Sequence, residues 1–200
     1  MHAREKIVTC NTSQSVHTAT TCLLLHHSYY QLCSRASSDQ YMDGIALIDE
    51  LRLRLRERAK NRRRWRYRDL VAVITQFEQE NRPYHLDFVV ENQRGLNALG
   101  LPMFSLKLLL PLVDPAPYER VGGGRVPVIH HNLAYYPLPD PTWEWRWPQW
   151  YVLMLDDVDD QGWLYARLVF SRLGNWKGRC YPGNCIRRRI WIRMRVKTAD

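Results

Sequence analysis

Ile186-Arg187-Arg188-Arg189-Ile190-Trp191-Ile192-Arg193-Met194-Arg195-Val196 alternates aliphatic residues with arginine and tryptophan over most of its length. Side chains along a strand point alternately to its two faces. As a strand, this stretch puts Ile190, Ile192, Met194 and Val196 on one face and Arg189, Trp191, Arg193 and Arg195 on the other. Residues 163–170 repeat the arrangement, separating Leu164, Ala166, Leu168 and Phe170 from Trp163, Tyr165, Arg167 and Val169. A guanidinium is planar, weakly hydrated and permanently charged, so it stacks on an indole face in a way lysine does not match. Pairing two such strands lets arginines slot between indoles, each stack contributing about 0.5–2 kcal/mol. Seven of the eight tryptophans lie between residues 143 and 191. That concentration reads first as a built scaffold and second as a surface for nucleic acid.

Working outward, residues 150–155 and 163–170 are expected to be strands joined by the acidic turn 156–162. Residues 86–90 read as a further strand ending in Glu91-Asn92-Gln93-Arg94. The span 111–141 holds seven prolines and Gly122-Gly123-Gly124, and reads as loop. Those glycines lack a phosphate-loop lysine and a following helix, so a plain turn is the expectation. Ahead of the strands, Ile45, Ile48, Leu51 and Leu55 stand at helical spacing and run into an arginine series from Arg52 to Arg68. The series reads as a solvated basic helix; a membrane-surface segment, a nuclear localisation signal and an RNA-binding arm are sharper alternatives. Asp69 is placed to cap a short helix carrying Leu70, Val73, Ile74 and Phe77 on one face, a stripe for a core or a docking partner. Residues 1–42 are rich in Ser, Thr, His and Cys without periodicity and read as disordered, with a transit peptide as the alternative. The organisation expected is therefore a disordered segment 1–42, a basic helical segment 43–85 and a β-domain 86–197.

The net charge is +9 and the pI about 9.5, which favours acidic partners. Residues 167–197 hold ten basic residues and no acid, whereas 140–160 hold six acids against one arginine, so neighbouring, charge-complementary elements are expected. The most apolar run, 106–113, is interrupted by Lys107 and Pro111 and falls far short of the roughly 20 residues of a membrane span. With no secretory signal either, a soluble chain with at most peripheral membrane attachment is the expectation. Five cysteines are read as free thiols. Cys10, Cys22, Cys33, His17, His26 and His27 lack the close ligand pairs of a zinc site. Asp157-x-Asp159-x-Gln161-Gly162 imitates the opening of a calcium loop, but Leu168 stands where the closing glutamate belongs, so an acidic turn is expected. No catalytic signature stands out.

Taken together, Val90-Glu91-Asn92-Gln93-Arg94, Asp140-Pro141-x-Trp143-Glu144-Trp145, Trp150-Tyr151-Val152, Asp157-Val158-Asp159-x-x-Gly162-Trp163-x-Tyr165, Trp176-x-Gly178 and Arg187-Arg188-Arg189-x-Trp191-Ile192-Arg193 form an ordered set over about 110 residues. The set resembles the DysF domain family, named for dysferlin and shared with fungal peroxins. Leu153, Ile190 and Met194 depart from the family pattern and thin its charge ladder. The resemblance implies a mainly β, antiparallel domain held by Arg–Trp stacking, with no catalytic residue, cofactor or metal. Stacking positions carried over are Trp143, Trp145, Trp163, Trp191, Arg187, Arg188, Arg189 and Arg193, with Glu91 and Arg94 as further structural residues. A short chain built around one such domain is most similar to the sporulation-specific yeast branch of the family. That branch implies a non-enzymatic peripheral adaptor supporting prospore membrane extension in sporulation and meiosis, beside lipid-transport machinery that would supply its protein partner. Anionic membrane lipid is the expected ligand, with Arg62, Arg63 and Arg64 as candidate contacts. A peroxin-like role at peroxisome or endoplasmic reticulum membranes, or nucleic-acid binding, are the alternatives, although no specific nucleic acid is expected.

Overall fold

The computed structural model describes residues 38–59, 65–80, 82–98, 101–171 and 174–198. Among the described residues two α-helices, α1 (Ser38–Arg58) and α2 (Tyr67–Glu78), precede seven strands. These are β1 (Tyr84–Ala98), β2 (Leu101–Ser105), β3 (Tyr118–Arg120), β4 (Trp143–Trp145), β5 (Tyr151–Val152), β6 (Leu164–Ala166) and β7 (Ile186–Lys197). The architecture is a mainly antiparallel β-sheet with helices ahead of it. Its spine is the pairing of β1 with β7 over eleven residues, from Tyr84 opposite Val196 to Arg94 opposite Ile186. Short strands line both outer edges end to end. β3 and β2 lie along β1, while β6, β5 and β4 lie along β7.

The period-two pattern divides the spine into two faces. Leu86, Phe88 and Val90 of β1 and Ile186, Ile190, Ile192 and Met194 of β7 face the main core, where they meet Leu51 and Leu55 of α1 and Leu70, Ile74 and Phe77 of α2. Burying each such side chain stabilises by about 1.5–3 kcal/mol before the entropy of ordering it is counted. The apolar stripe of α2 is thus core. Asp69 caps α2 from its third position: its carboxylate accepts from the Arg66 amide at 2.8 Å.

α1 begins at Ser38, within the segment read as disordered, and residues 1–37 lie outside the described residues. Its arginines are less solvated than their density suggests. Arg52 donates to the Met154 carbonyl at 3.1 Å, Arg54 pairs with Glu50 and Glu80, and Arg56 bonds Asp156 at 2.8 Å. Part of the acidic span 140–160 therefore complements α1, whereas the expectation joined it to the basic stretch 167–197.

Two strand readings are corrected. The 86–90 strand does not end at Glu91; it runs to Ala98, because Glu91, Asn92 and Gln93 all find polar partners and stay buried. The 150–155 and 163–170 segments do not form a hairpin. Only 151–152 and 164–166 are strand, and each pairs with β7. Between them the Asp159 carboxylate accepts from the amides of Gln161 and Trp163 and from the Tyr165 hydroxyl, at 2.7–2.9 Å. That compact turn consumes the residues a longer hairpin would need, and burial pushes the Asp159 carboxyl up. Tyr165 gives its other backbone edge to Lys177, at 2.7 and 3.0 Å.

Candidate functional site

The face of the spine away from the helices carries the arginines. β4 and Trp163, just before β6, bring indoles over them, and the order along the face follows from register. The Arg195 guanidinium lies 4.7 Å from the Trp143 ring and that of Arg193 lies 4.0 Å from Trp145. Arg189 stacks between Trp191 and Trp163 at 4.5 and 4.3 Å. Arg187 sits 3.9 Å from Trp163 on one side and 4.8 Å from Phe104 on the other. Arg188 alone of the triplet points the other way. It is buried on the helix face between Tyr67 at 4.5 Å and Trp176 at 4.2 Å, tying α2 and the 174–178 loop to the sheet.

β1 supplies counter-groups from directly opposite positions for Arg189 and Arg187 and from a diagonal one for Arg195. Glu91 faces Arg189 in the register, and one of its oxygens accepts from Arg189 Nε at 2.7 Å and Trp191 Nε1 at 2.8 Å; the other accepts from Gln93 at 2.7 Å. Gln93 accepts two bonds from Arg187 at 2.9 and 2.7 Å. Arg193 donates to the carbonyls of Trp147 and Pro148 at 3.0 and 2.8 Å. Asp87 pairs with Arg195 at 3.1 Å and accepts from the Tyr136 hydroxyl at 3.3 Å. Burial pushes the Asp87 carboxyl up against the pull of Arg195, and pushes the Tyr136 hydroxyl up to about 12. Burial likewise pulls Arg187 and Arg193 below the ordinary guanidinium value. Such matched pairing is what a buried charge requires. The ladder is a cross-link between distant parts of the chain.

Of the stacking set Trp143, Trp145, Trp163, Trp191, Arg187, Arg188, Arg189 and Arg193, the structure brings all but Arg188 together on one face; Arg188 stacks on the helix side instead. The sequence reading missed Phe104, which reaches the ladder because β2 folds back on β1, and Trp176, whose partner Arg188 stands on the opposite face. Arg62, Arg63 and Arg64 lie outside the described residues. Beside the ladder, a groove of about 440 Å³ is lined by Tyr118, Leu133, Trp150, Trp191 and Arg193 among others. Its indole N–H groups are engaged, Trp150 donating to the Leu133 carbonyl at 3.0 Å and Trp191 to Glu91.

Among the described residues there is no group of three metal-ligating side chains, and no helix is long and apolar enough to cross a membrane. Cys180 and Cys185 are free thiols.

No family model matches the chain. Over 121 residues it is 42% identical to the meiotically up-regulated gene 65 protein of Schizosaccharomyces pombe, covering 60% of this chain and 46% of that protein. It is 34% identical over 117 residues to the mouse tectonin beta-propeller repeat-containing protein 1, of which it covers 9%. The chain thus spans less than half the length of either. Sporulation-specific protein 73 of Saccharomyces cerevisiae is 34% identical over 125 residues, which cover 54% of this chain and 84% of that protein. At that identity and coverage, the chain belongs to the family of sporulation-specific protein 73.

Proposed function

We propose that this protein is a non-enzymatic, peripheral membrane adaptor of sporulation, built on a DysF-type domain, that supports extension and shaping of the prospore membrane. The names of two relatives, one sporulation-specific and one meiotically up-regulated, support the setting. The observation that carries the membrane part is the basic charge left over once the ladder is matched. The net charge is +9, and Lys107, Arg125, Arg146, Arg167 and Arg179 are exposed. Each basic residue near an anionic bilayer contributes about 1 kcal/mol of attraction. The ladder argues against the nucleic-acid reading, because the indole faces that would stack on bases are covered by guanidinium groups. Liposome flotation of the full chain, with and without acidic lipid at low and physiological salt, tests the proposal. Binding that requires acidic lipid supports it; flotation with neither composition at either salt overturns it. Arg62, Arg63 and Arg64 enter the same assay as a triple glutamate variant.

A further inference from the structure

Beyond Arg94 the sheet sheds its cover. β7 ends there in the register, at Ile186, while β1 and β2 continue outward as a two-stranded arm. Leu101 and Met103 on this arm are 69% and 61% exposed. The loop that follows β2 carries Leu108, Leu110, Leu112 and Val113, all exposed, with Leu112 wholly so. Leu112 also takes a left-handed backbone conformation, φ 67°, which costs free energy for any residue with a Cβ. A fully exposed leucine fixed in a strained turn contributes nothing to the core. Leu168 and Val169, 63% and 72% exposed, join the same end from a third segment.

Arg94 fastens the three segments together. Its Nε donates to the Asp114 carboxylate at 2.6 Å, and its Nη2 donates to the Leu168 carbonyl at 3.1 Å. Asp114 also accepts from the Leu110 amide at 2.7 Å, which closes the 110–114 turn. The aliphatic tips are therefore held in place by polar bonds that converge on Arg94 and Asp114. Apart from Asp114, which Arg94 neutralises, the segments that carry them are free of acids. Residues 95–113 and 161–198 contain no acidic residue, and Lys107, Arg167, Lys177 and Arg179 are exposed there. Tyr181, with Lys177 and Arg179 over its ring at 5.0 and 5.7 Å, supplies an amphipathic aromatic of the kind that settles at headgroup level.

We infer that this end of the molecule, tipped by Leu112, Val113, Leu168 and Val169, is a membrane-penetrating surface that enters the interface of an anionic bilayer. The inference rests on the membrane reading above and assigns it to an end of the fold far in sequence from the arginine run 52–68. Aliphatic side chains that protrude from three segments, with exposed cations on the same stretches of chain, suit a fluid apolar layer beneath anionic headgroups. A protein partner of the same chemistry would need acids to face the cations and a pocket for each tip.

The test is flotation of the full chain with vesicles of phosphatidylcholine alone and of phosphatidylcholine with about 30% phosphatidylserine. The wild type is compared with Leu112→Glu/Val113→Glu and with Leu168→Glu/Val169→Glu. All four positions are exposed, so unchanged melting curves are expected and serve as the control. The expected result is wild-type flotation on the acidic vesicles, and a loss of roughly ten-fold or more in partitioning for each variant. Wild-type flotation with undiminished partitioning of both folded variants overturns this assignment and leaves the membrane adaptor standing. Failure of the wild type to float overturns both.

Discussion

At the scale of single residues, the protein concentrates its dependence on a few polar atoms. Glu91 neutralises Arg189 and accepts from Trp191 and Gln93 in a buried setting. Glu91→Ala leaves the Arg189 guanidinium without its counter-charge, and a loss of about 3–5 kcal/mol is expected. Glu91→Gln keeps the shape and loses the charge, with a smaller cost of about 1–3 kcal/mol. Urea unfolding monitored by tryptophan fluorescence measures both, and equal midpoints for the three proteins would refute the role given to Glu91. Trp163, 1% exposed and stacked by two arginines, should cost about 3–5 kcal/mol on replacement by alanine. Two glycines are equally restrictive. A Cβ on Gly162, where φ is +80°, would meet Val152 at 2.2 Å, and one on Gly178 would meet the Asp157 carbonyl oxygen at 2.3 Å. They belong to the motifs Gly162-Trp163-x-Tyr165 and Trp176-x-Gly178, and the close approaches leave no room for a side chain at either position.

At the scale of elements, the two helices behave as one wall of the core. The joint between α1, α2 and the start of β1 is an ionic cluster in which Glu50 and Glu80 hold Arg54 and Arg82, with Arg82 lying 4.0 Å from the Phe77 ring. The arginine bonds hold the Glu80 carboxyl down to about 2 and lower that of Glu50 as well. For carboxylates depressed in the folded state, the stabilisation is fully present above their unfolded value near 4.3 and is lost as pH falls toward the folded value. The melting temperature of the wild type should therefore fall between about pH 5 and 2, and that of Glu50→Gln/Glu80→Gln should fall less. Identical pH profiles would remove the cluster from the account. Because Leu51, Leu55, Leu70 and Ile74 complete the core, a chain starting at Tyr84 should expose Val90, Ile190 and Ile192 and lose cooperative melting. A sharp, wild-type-like transition for that fragment would show that the sheet stands without its helices. The sequence revealed the long alternation of β7 and the stripe of α2, since both are local periodicities. It hid the length of β1, because Glu91, Asn92 and Gln93 resemble a strand end until their partners on β7, about a hundred residues away, are known. It also hid which strand β5 and β6 would join, because pairing choice depends on the whole sheet edge.

At the scale of the whole molecule, the fold separates two uses of the same residue types. Arginine and tryptophan at the middle of the sheet are matched to each other, to Glu91, Asp87 and Gln93, and to backbone carbonyls. Arginine, lysine and leucine at the end beyond Arg94 face outward. The ladder was legible as a face from the alternation of residues 186–196. The outward end was legible only as the apolar run 106–113, too short for a membrane span, because exposure is decided by where β7 stops. Arg94→Ala should release the Asp114 turn and the Leu168 carbonyl together, weakening vesicle binding while the middle of the sheet stays paired. Unimpaired vesicle binding by that variant would show that Arg94 does not set the geometry of the end.

Amide hydrogen exchange of the full chain, free and bound to acidic vesicles, distinguishes the outward end from the ladder as the membrane contact. The account predicts new protection in residues 101–113 and 167–170, with the ladder residues 186–196 already slow in both states. Protection that appears along the ladder face or in α1, with residues 101–113 unchanged, would contradict it.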